Sequence, residues 1–199
     1  MTAFVVGLTG PMGAGKSTVA AMLRELGAKV LDADALVHDE QLRGTVGYSA
    51  IVQTFGTKVL GEDKEIDRSK LAAEVFGDPL KLRRLEQILH PRVIARVLEA
   101  RSMLPDDAVL VVEAIKLLDG ELRKACDRIW VVVAPHKTMI DRLALRGMGE
   151  REAELRLAQQ HTEEEFRNAA DAVIVNDGVR EQTRESVRKA WLALRRAKA

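Results

Sequence analysis

Cysteine is almost missing from this sequence of 199 residues: Cys126 stands alone. No internal disulfide can form, and a reducing compartment is expected. Cys-x-x-Cys pairs are absent and only four histidines occur, so neither a metal role nor a nucleophilic role is expected for Cys126. Aromatic residues are scarce, at 4%, within an ordinary globular balance of 47% hydrophobic and 31% charged residues. Charge of one sign is also lacking. Lys plus Arg number 31 against 30 Asp plus Glu, a net charge of +1, so no global field argues for nucleic acid or a membrane surface. No apolar run approaches the length of a bilayer span. The first residues carry no basic stretch ahead of an apolar one, so no secretory signal is expected. Internal repeats and low-complexity tracts are absent. The expectation is a soluble, cytoplasmic protein of one domain with insertions, a monomer or weak homo-oligomer.

What the chain does contain is Gly10-Pro11-Met12-Gly13-Ala14-Gly15-Lys16-Ser17-Thr18, which fits G-x-x-x-x-G-K-[ST]. An apolar run of strand type, Ala3 to Leu8, precedes it. Behind it, Val19, Met22, Leu23 and Leu26 recur at helical spacing. Strand, glycine-rich loop and helix make a phosphate cradle, because glycines let successive N–H groups close on an anion at the positive end of a helix dipole. Lys16 is expected to reach the β- and γ-phosphates of a nucleotide and the Ser17 hydroxyl to coordinate Mg²⁺. A dinucleotide fingerprint is excluded, since its third glycine falls at Thr18.

Along the chain, Lys29-Val30-Leu31 predicts a second strand that ends in Asp32-Ala33-Asp34. One of these carboxylates is expected to cap the helix Ala35–Leu42 and the other to serve the substrate. Thr45 predicts a cap for a helix carrying Tyr48, Ile51, Val52 and Phe55, and further helices are expected at 69–76 and from Asp78-Pro79 onward. His90-Pro91 is expected to break the last of these, with Val93 to Leu98 resuming. About 65 residues separate the second and third strands, far more than a crossover needs, so they read as a helical insertion seating a second substrate. Strand three is Ala108 to Val112 and is followed by Glu113, either an acidic residue holding Mg²⁺ or an edge carboxylate paired with a helix. A short helix from Leu117 to Ala125 and strand four, Ile129 to Val133, come next. The segment Thr138–Arg146 carries Arg142 and Arg146 on one face; with the Gly147-Met148-Gly149 hinge and a charged helix, Glu150–Gln160, it reads as a lid over a triphosphate. Ala172 to Val175 is strand five, and Val179–Ala197 a final helix whose basic end (Arg195, Arg196, Lys198) suits its dipole. The fold class expected is α/β: a P-loop core with a parallel five-stranded sheet flanked by helices (1–35, 105–138 and 168–199), a helical acceptor-binding insertion (36–104) and a small helical lid (139–167).

With these pieces in order the chain resembles the dephospho-coenzyme A kinase family over nearly its whole length. The matching residues are Gly7-Leu8-Thr9-Gly10 leading into the P-loop, Asp32-Ala33-Asp34, Ile66-Asp67-Arg68, Leu71, Phe76, Leu85-Glu86 and His90-Pro91. Arg142, Arg146, Gln160 and Ala170-Asp171-x-Val173-Ile174-x-Asn176-x-Gly178 complete the set. The resemblance implies transfer of the ATP γ-phosphoryl to the 3′-hydroxyl of dephospho-coenzyme A, with ATP and Mg²⁺ required. It implies that Asp34 orients and deprotonates that hydroxyl, and that Lys16, Arg142 and Arg146 neutralise phosphate charge. Thr9, Arg68 and His90 would line the acceptor site, and Asn176 and Gly178 would lie near adenine through backbone contacts. Two departures stand out. Ile115-Lys116-Leu117-Leu118-Asp119 replaces the family's Pro-Leu-Leu-x-Glu, so that Lys116 offers the acceptor a cation. Phe166 stands where the family often has lysine, beside Arg167. Rival readings are a kinase of the same architecture acting on a nucleoside monophosphate or another alcohol, and a regulatory nucleotide switch. The switch is disfavoured, because neither Asn168 nor Asn176 precedes a lysine and Thr57-Lys58 is followed by Val59-Leu60.

Overall fold

Phe4–Thr9, the first strand (β1), is buried from Val5 onward and lies at the centre of a parallel sheet. The computed structural model describes residues 2–198, without the side chains of 197 and 198; of the expected basic tail, the Lys198 side chain therefore lies outside what is described. With β2 (Lys29–Asp32), β3 (Val109–Glu113), β4 (Arg128–Val133) and β5 (Ala172–Val175), the sheet has the order β2-β3-β1-β4-β5. On one side of β1, Phe4 pairs with Val109 and Leu8 with Glu113; on the other, Val6 pairs with Arg128 and Thr9 with Val131. The continuous apolar runs of β3 and β4 follow from this central placement, since a parallel strand covered on both faces has no polar side to show. The sheet flanked by helices is the expected fold class.

Two aspartates set the register at the amino ends of the strands. Asp127, just before β4, accepts the Val5 N–H at 2.7 Å and donates its own N–H to the Val5 carbonyl at 2.8 Å. Asp171, just before β5, repeats this on Ile129 at 2.7 and 2.8 Å. Arg101 holds the first clamp, donating to the Ala3 carbonyl and to Asp127.

The chain divides into two compact units, residues 1–31 with 101–199, and residues 32–100. In the first, α1 (Lys16–Glu25) and α9 (Arg180–Lys198) pack Val19, Met22, Leu23, Val187 and Leu194 against Val6, Leu8, Val111 and Ile174. Each such side chain taken from water contributes about 1.5–3 kcal/mol. The same unit holds α6 (His136–Ala144), α7 (Glu150–Ala158) and α8 (Glu163–Asn168). Helix α8 was not expected, although its capping box was there to read: the Thr162 hydroxyl accepts from Glu165 N–H and the Glu165 carboxylate accepts from Thr162 N–H. The Glu165 carboxyl is held below its ordinary range chiefly by that Thr162 N–H and then by the Thr162 hydroxyl.

The second unit is helical: α2 (Ala33–Asp39), α3 (Val46–Phe55), α4 (Arg68–Val75) and most of α5 (Pro79–Ser102). Ile51, Phe55, Val59, Leu71 and Leu89 form its own core. Thr45 caps α3 through the Tyr48 N–H, as its sequence predicts. The expected break at His90-Pro91 does not occur, because α5 runs through Pro91 as one helix of 24 residues. Leu89 before the proline and Val93 and Val97 after it are all buried. Anchoring on both sides overrides the missing N–H and the clash of the ring with the preceding turn. The helix expected from Leu117 to Ala125 is likewise corrected, to two short 3₁₀ pieces, Leu117–Asp119 and Glu121–Ala125, divided at Gly120. Glycine is a poor helix former, and here it is extended (φ −119°, ψ 167°).

Candidate active site

The loop between β1 and α1 turns on glycines whose backbone other residues rarely adopt. Gly10 has φ +142°, and a Cβ there would overlap the Val132 carbonyl oxygen of β4. Gly15 has φ +92°, and a Cβ there would overlap the Asn176 amide nitrogen. Both positions require glycine, for the turn and for close approach together. Lys16 is buried, and its ammonium donates to the carbonyls of Gly10 at 2.8 Å and Pro11 at 3.2 Å, closing the loop into a ring.

The Ser17 hydroxyl donates to Glu113 Oε1 at 3.0 Å, which joins the first turn of α1 to the carboxyl end of β3. Adjacent corners of a magnesium octahedron with bonds of about 2.0–2.1 Å lie about 2.9 Å apart. The hydroxyl and carboxylate therefore have the chemistry and the spacing of two neighbouring oxygen ligands. Among the described residues no group of three or more His, Cys, Asp and Glu side chains is placed to hold a metal ion.

Arg142 lies on the carbonyl side of the loop. Its Nη1 donates to the carbonyls of Gly13 at 3.2 Å and Ala14 at 3.1 Å, and its Nη2 to the carbonyl of Asn176 at 3.2 Å. Arg146, one turn on, is exposed. The Asn176 side chain is engaged at both ends, its Nδ2 donating to the Ala14 carbonyl at 2.7 Å and its Oδ1 accepting from the Thr183 hydroxyl at 3.0 Å. Gly178 is exposed in the turn after β5. Pro11, Gly13 and Ala14 are buried, while Met12 N–H donates to Gln160 Oε1 at 2.9 Å. Thr18 is exposed on α1. The buried Thr9 hydroxyl donates to the Ile115 carbonyl at 3.3 Å, tying β1 to the loop after β3, where Lys116 is exposed. His161 pairs with Asp119 of that loop and packs edge-on to Phe166. A cavity of about 290 Å³ opens beside Pro11, walled by Val133 at the end of β4, by Ala134 after it and by Leu157 of α7.

In the helical unit, Asp32 makes the cap of α2, accepting from the N–H groups of Asp34 and Ala35 at 2.9 and 3.0 Å. Asp32 is therefore the cap of the two, and Asp34 occupies the first turn with its side chain exposed. Arg68 opens α4 behind the Asp67 cap, and His90 sits mid-way along α5; both are exposed. Gln160 and Thr183 are the parts of the site that sequence reasoning left without a role, and the direct pairing of Ser17 with Glu113 joins two residues that it had weighed separately. Gln160 stood among the resembling residues, whereas Thr183 gave no signal at all.

The model of the dephospho-CoA kinase family matches residues 4–182. The chain belongs to that family. Dephospho-CoA kinases from Aquifex aeolicus and Streptomyces avermitilis are each 42% identical to it. The first alignment covers 96% of this chain and 97% of the relative, the second 95% and 93%. Among solved structures, TT1252 from Thermus thermophilus superposes with a TM-score of 0.87 at 33% identity, over 98% of each chain. The dephospho-CoA kinase from Campylobacter jejuni gives 0.72 at 25%, again over 98% of each. A shikimate kinase from Bacteroides thetaiotaomicron, at 17% identity and 0.55 over 96% of this chain and 98% of its own, shares the fold alone.

Proposed function

We propose that this protein is an ATP-dependent kinase that transfers the γ-phosphoryl group to the 3′-hydroxyl of dephospho-coenzyme A, giving coenzyme A and ADP. The observation that carries the reading is the glycine-turned ring at residues 10–17 with Ser17 held against Glu113, in a chain of this family. Backbone amides and the α1 dipole bind the triphosphate. Lys16 leaves its carbonyl partners for the β- and γ-phosphates. Ser17 and Glu113 would hold Mg²⁺, whose charge offsets that of the phosphates. Arg142 shapes the loop from its carbonyl side, and Arg146 supplies a guanidinium from the lid at 139–167. The acceptor binds through the insertion at 36–104, with Arg68, His90, Thr9 and Lys116 as its contacts. Asp34 takes the hydroxyl proton as the ribose oxygen bonds to the γ-phosphorus and the bond to the β-phosphate bridge breaks. Little covalent chemistry falls to the protein, because alignment and charge neutralisation dominate this reaction. Adenine lies along the backbone at 176–178. No helix among the described residues is long and apolar enough to cross a membrane, which suits a reaction between two water-soluble substrates in the cytoplasm.

The test is an ATP-consumption screen with dephospho-coenzyme A, nucleoside monophosphates and sugars, with products read by mass. Coenzyme A formed from dephospho-coenzyme A alone is the expected result. Turnover confined to nucleoside monophosphates overturns the reading.

A further inference from the structure

We propose that Thr183, on α9 and outside the phosphate loop, is a positioning residue that sets the shape of the nucleotide site through Asn176. The inference rests on the reading of the loop as an ATP site and adds a residue to its machinery. Thr183 is 1% exposed and Asn176 5%, so water does not satisfy either group. The Ala14 carbonyl can only accept, which fixes the Asn176 amide with Nδ2 toward it, at 2.7 Å. Asn176 Oδ1 is thereby turned into the interior, where the Thr183 hydroxyl donates to it at 3.0 Å. Without that hydroxyl the oxygen is buried and unpaired, and the amide is better off leaving its place against the loop.

The consequence reaches the phosphates through peptide geometry. In a planar trans peptide the carbonyl and the next N–H point in opposite directions. Holding the Ala14 carbonyl against Asn176 and Arg142 aims the Gly15 N–H away from them, toward the anion side of the loop. Gly15 has no Cβ where Asn176 Nδ2 passes, so this approach depends on the glycine. The chain of contacts Thr183–Asn176–Ala14 thus pre-orders one wall of the cradle before nucleotide arrives. A loop that is ordered only part of the time binds with an affinity reduced by that fraction.

The comparison is Thr183→Val, equal in shape and without the donor, against Thr183→Ser, which keeps it. Calorimetric titration with Mg·ATP should show Kd about tenfold weaker for Thr183→Val, the scale of one lost hydrogen bond, and near wild type for Thr183→Ser. The KM for dephospho-coenzyme A should stay within about twofold in both, since a positioning role on one substrate does not spread to the other. If Thr183→Val melts below the assay temperature, Thr183→Ala takes its place under the same criteria. Wild-type affinity in the donor-less variant overturns the proposal, and so does equal weakening in the serine variant, which would make the position one of volume alone. A wild-type protein that fails to bind Mg·ATP refutes the ATP-site reading instead, so the two failures are distinguishable.

Discussion

Replacing Pro91 by alanine should stabilise the helical unit. Pro91 lies thirteenth in a helix of 24 residues and is exposed, so its ring gives up no buried contact when removed. It lacks the N–H that would reach the carbonyl of Gln87 one turn back. In a helix interior the proline–alanine difference is about 3 kcal/mol. That is an upper value for this site, because the turn has already relaxed around the ring. The lower value is the one backbone hydrogen bond restored, about 1 kcal/mol. A gain near 2 kcal/mol is expected, a Tm rise of about 4–8 °C for a chain of this size unfolding in one transition. Urea denaturation followed by circular dichroism reads the free energy and a thermal melt the shift. Pro91→Ala as stable as wild type or less would refute the account of α5, because the proline would then be part of a geometry that the helix prefers. As His90-Pro91 is among the residues shared with the family, the same variant should also raise the KM for the acceptor. Stability gained and acceptor affinity lost is the joint signature.

Three more follow, two of them from the site. Asp34→Asn should leave ATP binding intact and cut phosphoryl transfer by about 10²–10⁴-fold; activity within a few-fold of wild type removes the base assignment. Arg142→Lys keeps the charge but not the fork, and a single ammonium cannot span the carbonyls of Gly13, Ala14 and Asn176. Its Kd for ATP should rise at least about tenfold for the loss of one charge-assisted bond, whereas a fall in kcat at unchanged ATP affinity would make Arg142 a contact to the transferring group. Burial pushes the Cys126 thiol up to about 12, leaving about one thiolate in 10⁴ at pH 8. Iodoacetamide should therefore spare the native protein and label it in urea; rapid labelling of the native state would contradict that burial.

The sheet was legible in the sequence because each strand is a local apolar run, and Ala172–Val175 could be bounded to the residue. The Thr45 cap and the loop at 10–18 were legible for the same reason, since their rules span only a few positions. Pro91 was misjudged because a local rule met anchoring by Leu89, Val93 and Val97 that no window around the proline reveals. Within the candidate site, the loop residues and Lys16 follow from their motif. Arg142 reads as a lid arginine, while the structure turns it toward carbonyls 128 and 129 positions away. Thr183 was invisible, since its partner Asn176 matters only through Ala14, a further 162 positions away. Contacts at such separation belong to the folded sheet and leave no periodicity behind.

The aspartates ahead of β4 and β5 tie β1 and β4 more heavily at one end than at the other. One end of β1 and of β4 is stitched at Val5 and Ile129 by a carboxylate as well as a peptide, whereas the opposite ends lead into the glycine turn and into α6. Amide exchange should accordingly slow toward the stitched ends and quicken toward the others, a gradient running along single strands. Strand alignment is thereby fixed at the edge of the sheet away from the glycine turn, so the loops at the other edge do not have to hold it.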